Sequence, residues 1–172
     1  MPEIARSRDL LVYKKGDAFA VVVSPDLAVS GWSAGQGAQW FDSGRDEITV
    51  SLSDGIANTF FLWGSDETAD KFTSMSRNQP VYKFAVVGMG GWIISTSSFE
   101  QYTYATRSLP NPTSIVYTPS EDLFYSLSGK LTNEDEWTLS GDPRAPNNNV
   151  VGVVIQTPSS ATSDYLTVHM KT

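Results

Sequence analysis

Cysteine is missing from this 172-residue chain, and histidine occurs once, at His169. Thiolate nucleophiles, Cys/His zinc sites and most imidazole proton shuttles are thereby excluded, because each needs a side chain that is not there. No disulfide can form, which suits a reducing compartment, although a chain of this length buries enough core to fold without one. Long apolar runs are absent too. The longest, Ala18–Val23, has six residues, against about 20 for a membrane-spanning helix, so no membrane partner is expected. Met1–Asp9 mixes Glu3, Arg6, Arg8 and Asp9 with few large apolar groups, and no signal-peptide core is expected there. Clustered positive charge is the last absence. Twelve Lys and Arg are scattered among nineteen Asp and Glu, for a net charge of -7. Such a surface repels phosphate backbones, and nucleic acid is not an expected partner.

What remains is a succession of short runs rich in Val, Ile, Thr, Tyr, Phe and Trp. They are Leu10–Tyr13, Ala18–Val23, Ile48–Leu52, Thr59–Trp63, Val81–Val87, Trp92–Ser95, Tyr102–Thr106, Ser114–Tyr117, Leu123–Leu127, Trp137–Leu139, Val150–Ile155 and Tyr165–Met170. Each is bounded by turn formers, which predicts an all-β fold: an antiparallel β-sandwich or barrel-like single domain over residues 1–172, with long loops. In Ile48–Ser53 the apolar Ile48, Val50 and Leu52 alternate with Thr49, Ser51 and Ser53, so one face is expected in the core and the other in water. Phe84–Val87 and Val150–Ile155 are apolar throughout, which predicts cover on both faces.

Gly88-Met89-Gly90-Gly91 suits a tight reversal, and Val81–Ser95 reads as a hairpin. At most one or two short helices are expected. The candidate is Asp66–Arg77, with Ser65 as N-cap and charges matching the macrodipole. Ser30–Gly44, Leu109–Pro112 and Ser140–Asn149 read as loops, and residues 1–8 as an extended N-terminal arm. The first loop sets Trp32, Trp40 and Phe41 among four glycines, a costly exposure of aromatic surface unless the loop docks on a partner.

Catalytic patterns fare poorly. Gly31-Trp32-Ser33-Ala34-Gly35 fits the G-x-S-x-G elbow, with Asp164 and His169 following in order, but an elbow needs a strand before it and a helix after it. The Gln36–Asp42 stretch carries no helical stripe. A glycosidase needs only two carboxylates facing one another, and the many acidic residues single out no pair. Asn133-Glu134-Asp135-Glu136 reads as a solvated turn, and neither it nor Asp42–Glu47 keeps the alternating oxygen ligands of a calcium loop. Ser128-Gly129-Lys130-Leu131-Thr132 lacks the first glycine of a phosphate loop. No catalytic, cofactor or metal residue is assigned, and the chain is expected not to be an enzyme. A carbohydrate- or receptor-binding β-sandwich, using tryptophans as stacking platforms, is the alternative; a carboxylate hydrolase comes third.

Phe60-Phe61-Leu62-Trp63-Gly64-Ser65-Asp66-Glu67, Asn78-Gln79-Pro80-Val81-Tyr82 and Gly90-Gly91-Trp92-Ile93-Ile94 give the middle of the chain a texture that resembles virion structural proteins of tailed bacteriophages. The ending, Asn147-Asn148-Asn149 into Val150–Ile155 and Gln156-Thr157-Pro158, is similar. The likeness is to capsid decoration or cement proteins, and no single motif separates these from tail or head-completion components. The resemblance implies a non-enzymatic β-rich protein, made in the host cytoplasm, that binds the outside of a capsid shell and staples major capsid protein or other virion subunits. It implies no cofactor. A homo-oligomer, a trimer or another cyclic assembly, is expected from the apolar strands and surplus aromatics. The expected contacts are Trp32, Trp40 and Phe41, with Arg6 and Arg8 on the arm.

Overall fold

The computed structural model describes residues 5–6, 10–44, 48–55, 60–63, 84–141, 150–158 and 164–171. The candidate helix Asp66–Arg77, Arg8 and most of Ser140–Asn149 lie outside them. The β-branched and aromatic runs pair into two sheets. The strands β3 (Ala18–Val23), β4 (Gly37–Phe41), β5 (Thr49–Leu52), β6 (Phe60–Trp63) and β7 (Phe84–Gly88) close a barrel in the order β3-β5-β4-β6-β7. The contact of β3 with β5 is parallel and the others are antiparallel. The second sheet is antiparallel and seven-stranded. It joins β1 (Ala5–Arg6), β2 (Leu10–Lys14), β8 (Ile93–Thr96), β12 (Leu166–Met170), β11 (Gly152–Gln156), β9 (Asp122–Tyr125) and β10 (Leu131–Thr132) in that order. Two short helices, α1 (Pro25–Ser30) and α2 (Glu136–Leu139), complete the described elements. The fold is therefore all-β.

The expected hairpin over Val81–Ser95 is not formed: β7 lies in the barrel and β8 in the open sheet. The segments β2–β3 and β7–β8 are two bent ribbons that cross from sheet to barrel side by side, pairing β2 with β8 and β3 with β7. Glycines make the corner possible. A Cβ on Gly16 would stand 2.4 Å from the Gly90 carbonyl oxygen, and Gly91 adopts φ +95°. Met89 N–H donates to Asp17 O (2.9 Å), and the Trp92 indole N–H donates to the same oxygen (2.8 Å), pinning the bend. Positive-φ glycines serve a reversal and a sheet-switching bend equally well, so composition alone does not tell them apart.

Val21, Val23, Ala38, Val50, Leu62 and Val87 fill the barrel, while Val12, Ile94, Leu123, Val154, Val168 and Met170 line the inner face of the sheet. Phe61 joins the two. It points out of the barrel wall into the sheet's core and meets Trp92 edge to face at 5.1 Å. Gly88 lets Phe61 approach and Gly37 admits the Tyr125 ring, whose atoms would stand 2.7–2.8 Å from an added Cβ.

Alternation is followed only in part. Val50 is fully buried, but Ile48 precedes the strand and is exposed, while Thr49 and Ser53 on the expected wet face are buried. The β9–β10 turn lies against this end of β5, with Gly129 O accepting from Gly37 N–H. Cover on both faces of the apolar runs is partial: Ala85 and Val87 on one face of β7 are buried, Phe84 and Val86 on the other are half-buried, and Ile155 on β11 is exposed. Tyr102–Thr106 and Ser114–Tyr117 are not strands. They share one bridge, Tyr102 to Ser114, inside a long irregular segment after β8. Trp137–Leu139 is helical, because Asp135 caps α2 by accepting from Thr138 N–H and the Trp137 indole reaches Asp54 O at 2.6 Å.

Candidate binding surface

Phe19 on β3, Trp40 on β4 and Phe60 on β6 share the inward face of their strands with Val21, Ala38 and Leu62. They meet across one mouth of the barrel. Trp40 stacks on Phe19 (5.9 Å, 26°) and meets Phe60 edge to face (4.7 Å, 65°). Phe60 is buried, yet Trp40 remains 55% exposed. On the same rim, Phe41 pairs opposite Thr49 and is 41% exposed, and neighbouring Ile48 is 57% exposed. Trp40 alone leaves on the order of 100 Å² of indole in water, worth roughly 2–3 kcal/mol if a partner covered it.

The surroundings explain why this surface is firm. The run Ser30–Gly44, expected as a loop, contains β4: Ala38 and Trp40 face inward while Gln39 and Phe41 face outward. Its glycines hide that period of two, and Gly37 is there to admit the Tyr125 ring. Helix α1 carries its start and stop signals in the local sequence. Ser24 accepts from Leu27 N–H as N-cap, Pro25 and Asp26 occupy the first turn, and Gly31 closes the end at φ +78°.

Trp32 lies elsewhere. It is only 6% exposed and packs in the barrel core with Leu27 and Ala28, so it spends its area inside the protein and is not part of the exposed rim. Arg6 falls on β1, and Arg8 lies outside the described residues. Among the five tryptophans only Trp40 is exposed, so the paired indole platform expected of a sugar-binding sandwich is not assembled.

The elbow at Ser33 is not built either: helix α1 precedes it and strand β4 follows it, the reverse of the required order. Its N–H is taken by the Gln36 side chain at 2.7 Å. His169 is exposed on the outer face of β12, whereas Ala34 beside Ser33 is buried on the inner side.

One carboxylate pair is brought together, and its residues were not singled out by sequence. Glu100 and Glu136, both buried, flank Arg107. The guanidinium forks onto Glu136 (Nη2–Oε2 2.6 Å, Nη1–Oε1 3.2 Å), and Leu127 N–H adds a third bond to the same carboxylate. The Arg107 Nε lies 3.4 Å from Glu100 Oε2, close enough for charge pairing but outside hydrogen-bond alignment. Ser126 and Ser128 hydroxyls donate to Glu100 Oε1 at 2.8 and 2.7 Å. Burial works against the charge on Arg107, but the Glu136 hydrogen bond and the fields of Glu100, Glu136 and Glu134 outweigh it and raise its pKa. Both carboxylates are engaged by an arginine and by neutral donors, which suits them to holding the segment after β8 against the sheet. The Asn133–Glu136 run is thus no simple solvated turn. Asn133 binds Val116 O and Glu121, Glu134 accepts from Tyr104 N–H, Asp135 caps α2, and Glu136 is the buried anchor. Among the described residues no cluster of carboxylate and imidazole groups could hold a metal ion. No protein-family model matches this chain, and neither the curated proteins nor the solved structures contain a match to it.

Proposed function

We propose that the chain is a non-enzymatic virion structural protein that attaches to an assembled capsid shell through the aromatic mouth of its barrel, as decoration or cement proteins do. The observation that carries the reading is Trp40, held by Phe19 and Phe60 yet more than half exposed beside Phe41 and Ile48. A rigid aromatic rim loses little side-chain entropy on docking, and Trp is enriched where binding energy concentrates. The net charge of -7 favours the outside of a DNA-filled shell over contact with the genome. A protein that binds assembled shell and not its separated subunits stabilises the particle by RT ln(1 + [L]/Kd) at each site, and many copies add. The partner is major capsid protein or another virion subunit, the place is the capsid surface, and the bound form is a cyclic homo-oligomer such as a trimer.

Particles purified from the source and stripped of this protein provide the test. Rebinding of the Trp40→Ala, Phe41→Ala double variant should fall by at least tenfold in occupancy at limiting concentration, with the oligomer measured by light scattering unchanged. Occupancy equal to that of the parent chain removes the rim as the anchor. Failure of the parent chain itself to bind removes the capsid reading.

A further inference from the structure

A cleft of about 500 Å³ opens between the segment after β8 and the facing ends of β11 and β12. We infer that it is a binding site for a neutral, hydroxyl-rich ligand of the saccharide class. The floor is apolar: Phe99 and Tyr117 are buried and perpendicular, with centroids 5.6 Å apart, and Ile115 is half-buried beside them. The rim is polar. It carries the Gln101 amide, the Ser114 and Thr157 hydroxyls and the Asp164 carboxylate, none of which makes a side-chain hydrogen bond among the described residues.

The wall supplied by the segment after β8 is held in place before any ligand arrives. Tyr117 O–H donates to Glu100 O (2.6 Å), Ile115 N–H to Gln101 O (2.9 Å) and Thr103 N–H to Thr113 O (3.0 Å). The Arg107 fork onto Glu136 then ties this segment to the β9–β10 side of the sheet. The size lies within the roughly 300–1,000 Å³ of small-molecule sites, which combine an apolar floor with a few convergent polar groups. A preorganised wall lowers the ordering cost of binding.

Charge narrows the ligand class. The lining holds no cation, and Asp164 together with the net charge of -7 repels phosphates and carboxylates. A simple amine would gain only about 0–1 kcal/mol from one exposed carboxylate. Sugar hydroxyls both donate and accept, as do the Gln101 amide and the two rim hydroxyls, while Asp164 accepts. The C–H face of a pyranose suits the floor.

The test uses the full chain in ¹H–¹⁵N NMR titrations with three neutral disaccharides, cellobiose, lactose and N-acetylchitobiose, and with N-acetyl-lysine amide as the cationic comparison. At least one disaccharide should give saturable shifts at Gln101, Ser114, Thr157 and Asp164 with Kd on the order of 1 mM. Gln101→Ala and Asp164→Asn, both at exposed positions, should weaken that binding about tenfold with the rest of the spectrum unchanged. Absence of saturable shifts for all three sugars overturns the proposal. So does equal affinity in both variants, or tighter binding of the lysine amide than of any sugar. The site is separable from the capsid reading: Trp40→Ala with Phe41→Ala should leave the sugar shifts intact, and Gln101→Ala should leave particle occupancy intact.

Discussion

Glu136 is 1% exposed and would be an uncompensated charge in the core without Arg107. Breaking such a pair from one side costs about 3–5 kcal/mol, because the remaining ion keeps its desolvation penalty. Arg107→Ala should therefore lower the urea midpoint by an amount equivalent to about 3 kcal/mol, the lower figure reflecting the partial exposure of the arginine. Arg107→Leu combined with Glu136→Leu should recover part of that loss. Equal stability of Arg107→Ala and the parent chain in urea would show that the fork carries nothing. Tyr117 and Tyr125 act through protons. Burial raises the phenol pKa of both above the ordinary 10, with the charge of Glu100 adding to the shift at Tyr117. As pH climbs past 10 the unfolded chain releases these protons and the folded chain keeps them. The unfolded state then binds fewer protons, so the stability present below pH 10 falls above it, by up to about 1.4 kcal/mol per pH unit for each tyrosine. Tyr117→Phe should halve this alkaline slope and cost about 1 kcal/mol at neutral pH for the lost bond to Glu100 O. Urea midpoints between pH 8 and pH 11 would decide it.

At the scale of elements, glycine sets how closely the barrel and the sheet approach. A methyl group on Gly37 would meet the Tyr125 ring at 2.7 Å, so β4 must shift away from the sheet. Gly37→Ala should cost roughly 2–3 kcal/mol by overpacking, whereas Gly44→Ala, with open space around it and φ +71°, should cost only about 1 kcal/mol from its backbone. Thermal melts of the two variants check the ranking, and an equal effect would mean that the close approach at Gly37 is not limiting. Several elements were legible locally. Ala18–Val23 is a strand with the bounds its composition sets, since six β-branched or apolar residues lie between Asp17 and Ser24. Others were not. Tyr102–Thr106 and Ser114–Tyr117 have strand composition, but their backbone groups bond within one long segment or to the Asn133 and Glu134 side chains instead of to a neighbouring strand. Strand propensity reports what fits a pleated, half-buried surface, and no such surface is offered to them.

For the whole molecule, Phe61 makes the barrel and the sheet depend on each other, because a barrel residue completes the sheet's core. Phe61→Ala should cost about 3–5 kcal/mol and lower tryptophan fluorescence and far-ultraviolet circular dichroism transitions together. Two separated transitions in the parent chain would show that the halves melt alone. The candidate surface was half legible. Trp40 and Phe41, aromatic side chains in a glycine-rich run, are exposed; Trp32, in the same run, is buried. Two indoles eight positions apart differ only in what closes over them, which is decided by elements distant in sequence. The cleft walled by Gln101, Ser114, Thr157 and Asp164 left no local signature, since its residues come from three separated segments.

Residue type, and alternation over a few neighbours, set the β character, the acidity, the absence of cysteine and the single histidine. Tertiary structure alone decided that the Gly88–Gly91 run bends between two sheets, that Glu136 is a core anchor, and that Trp40 faces water while Trp32 does not. Each of those outcomes depends on which distant strand or segment arrives alongside, and a local pattern carries no record of a neighbour brought in from elsewhere in the chain.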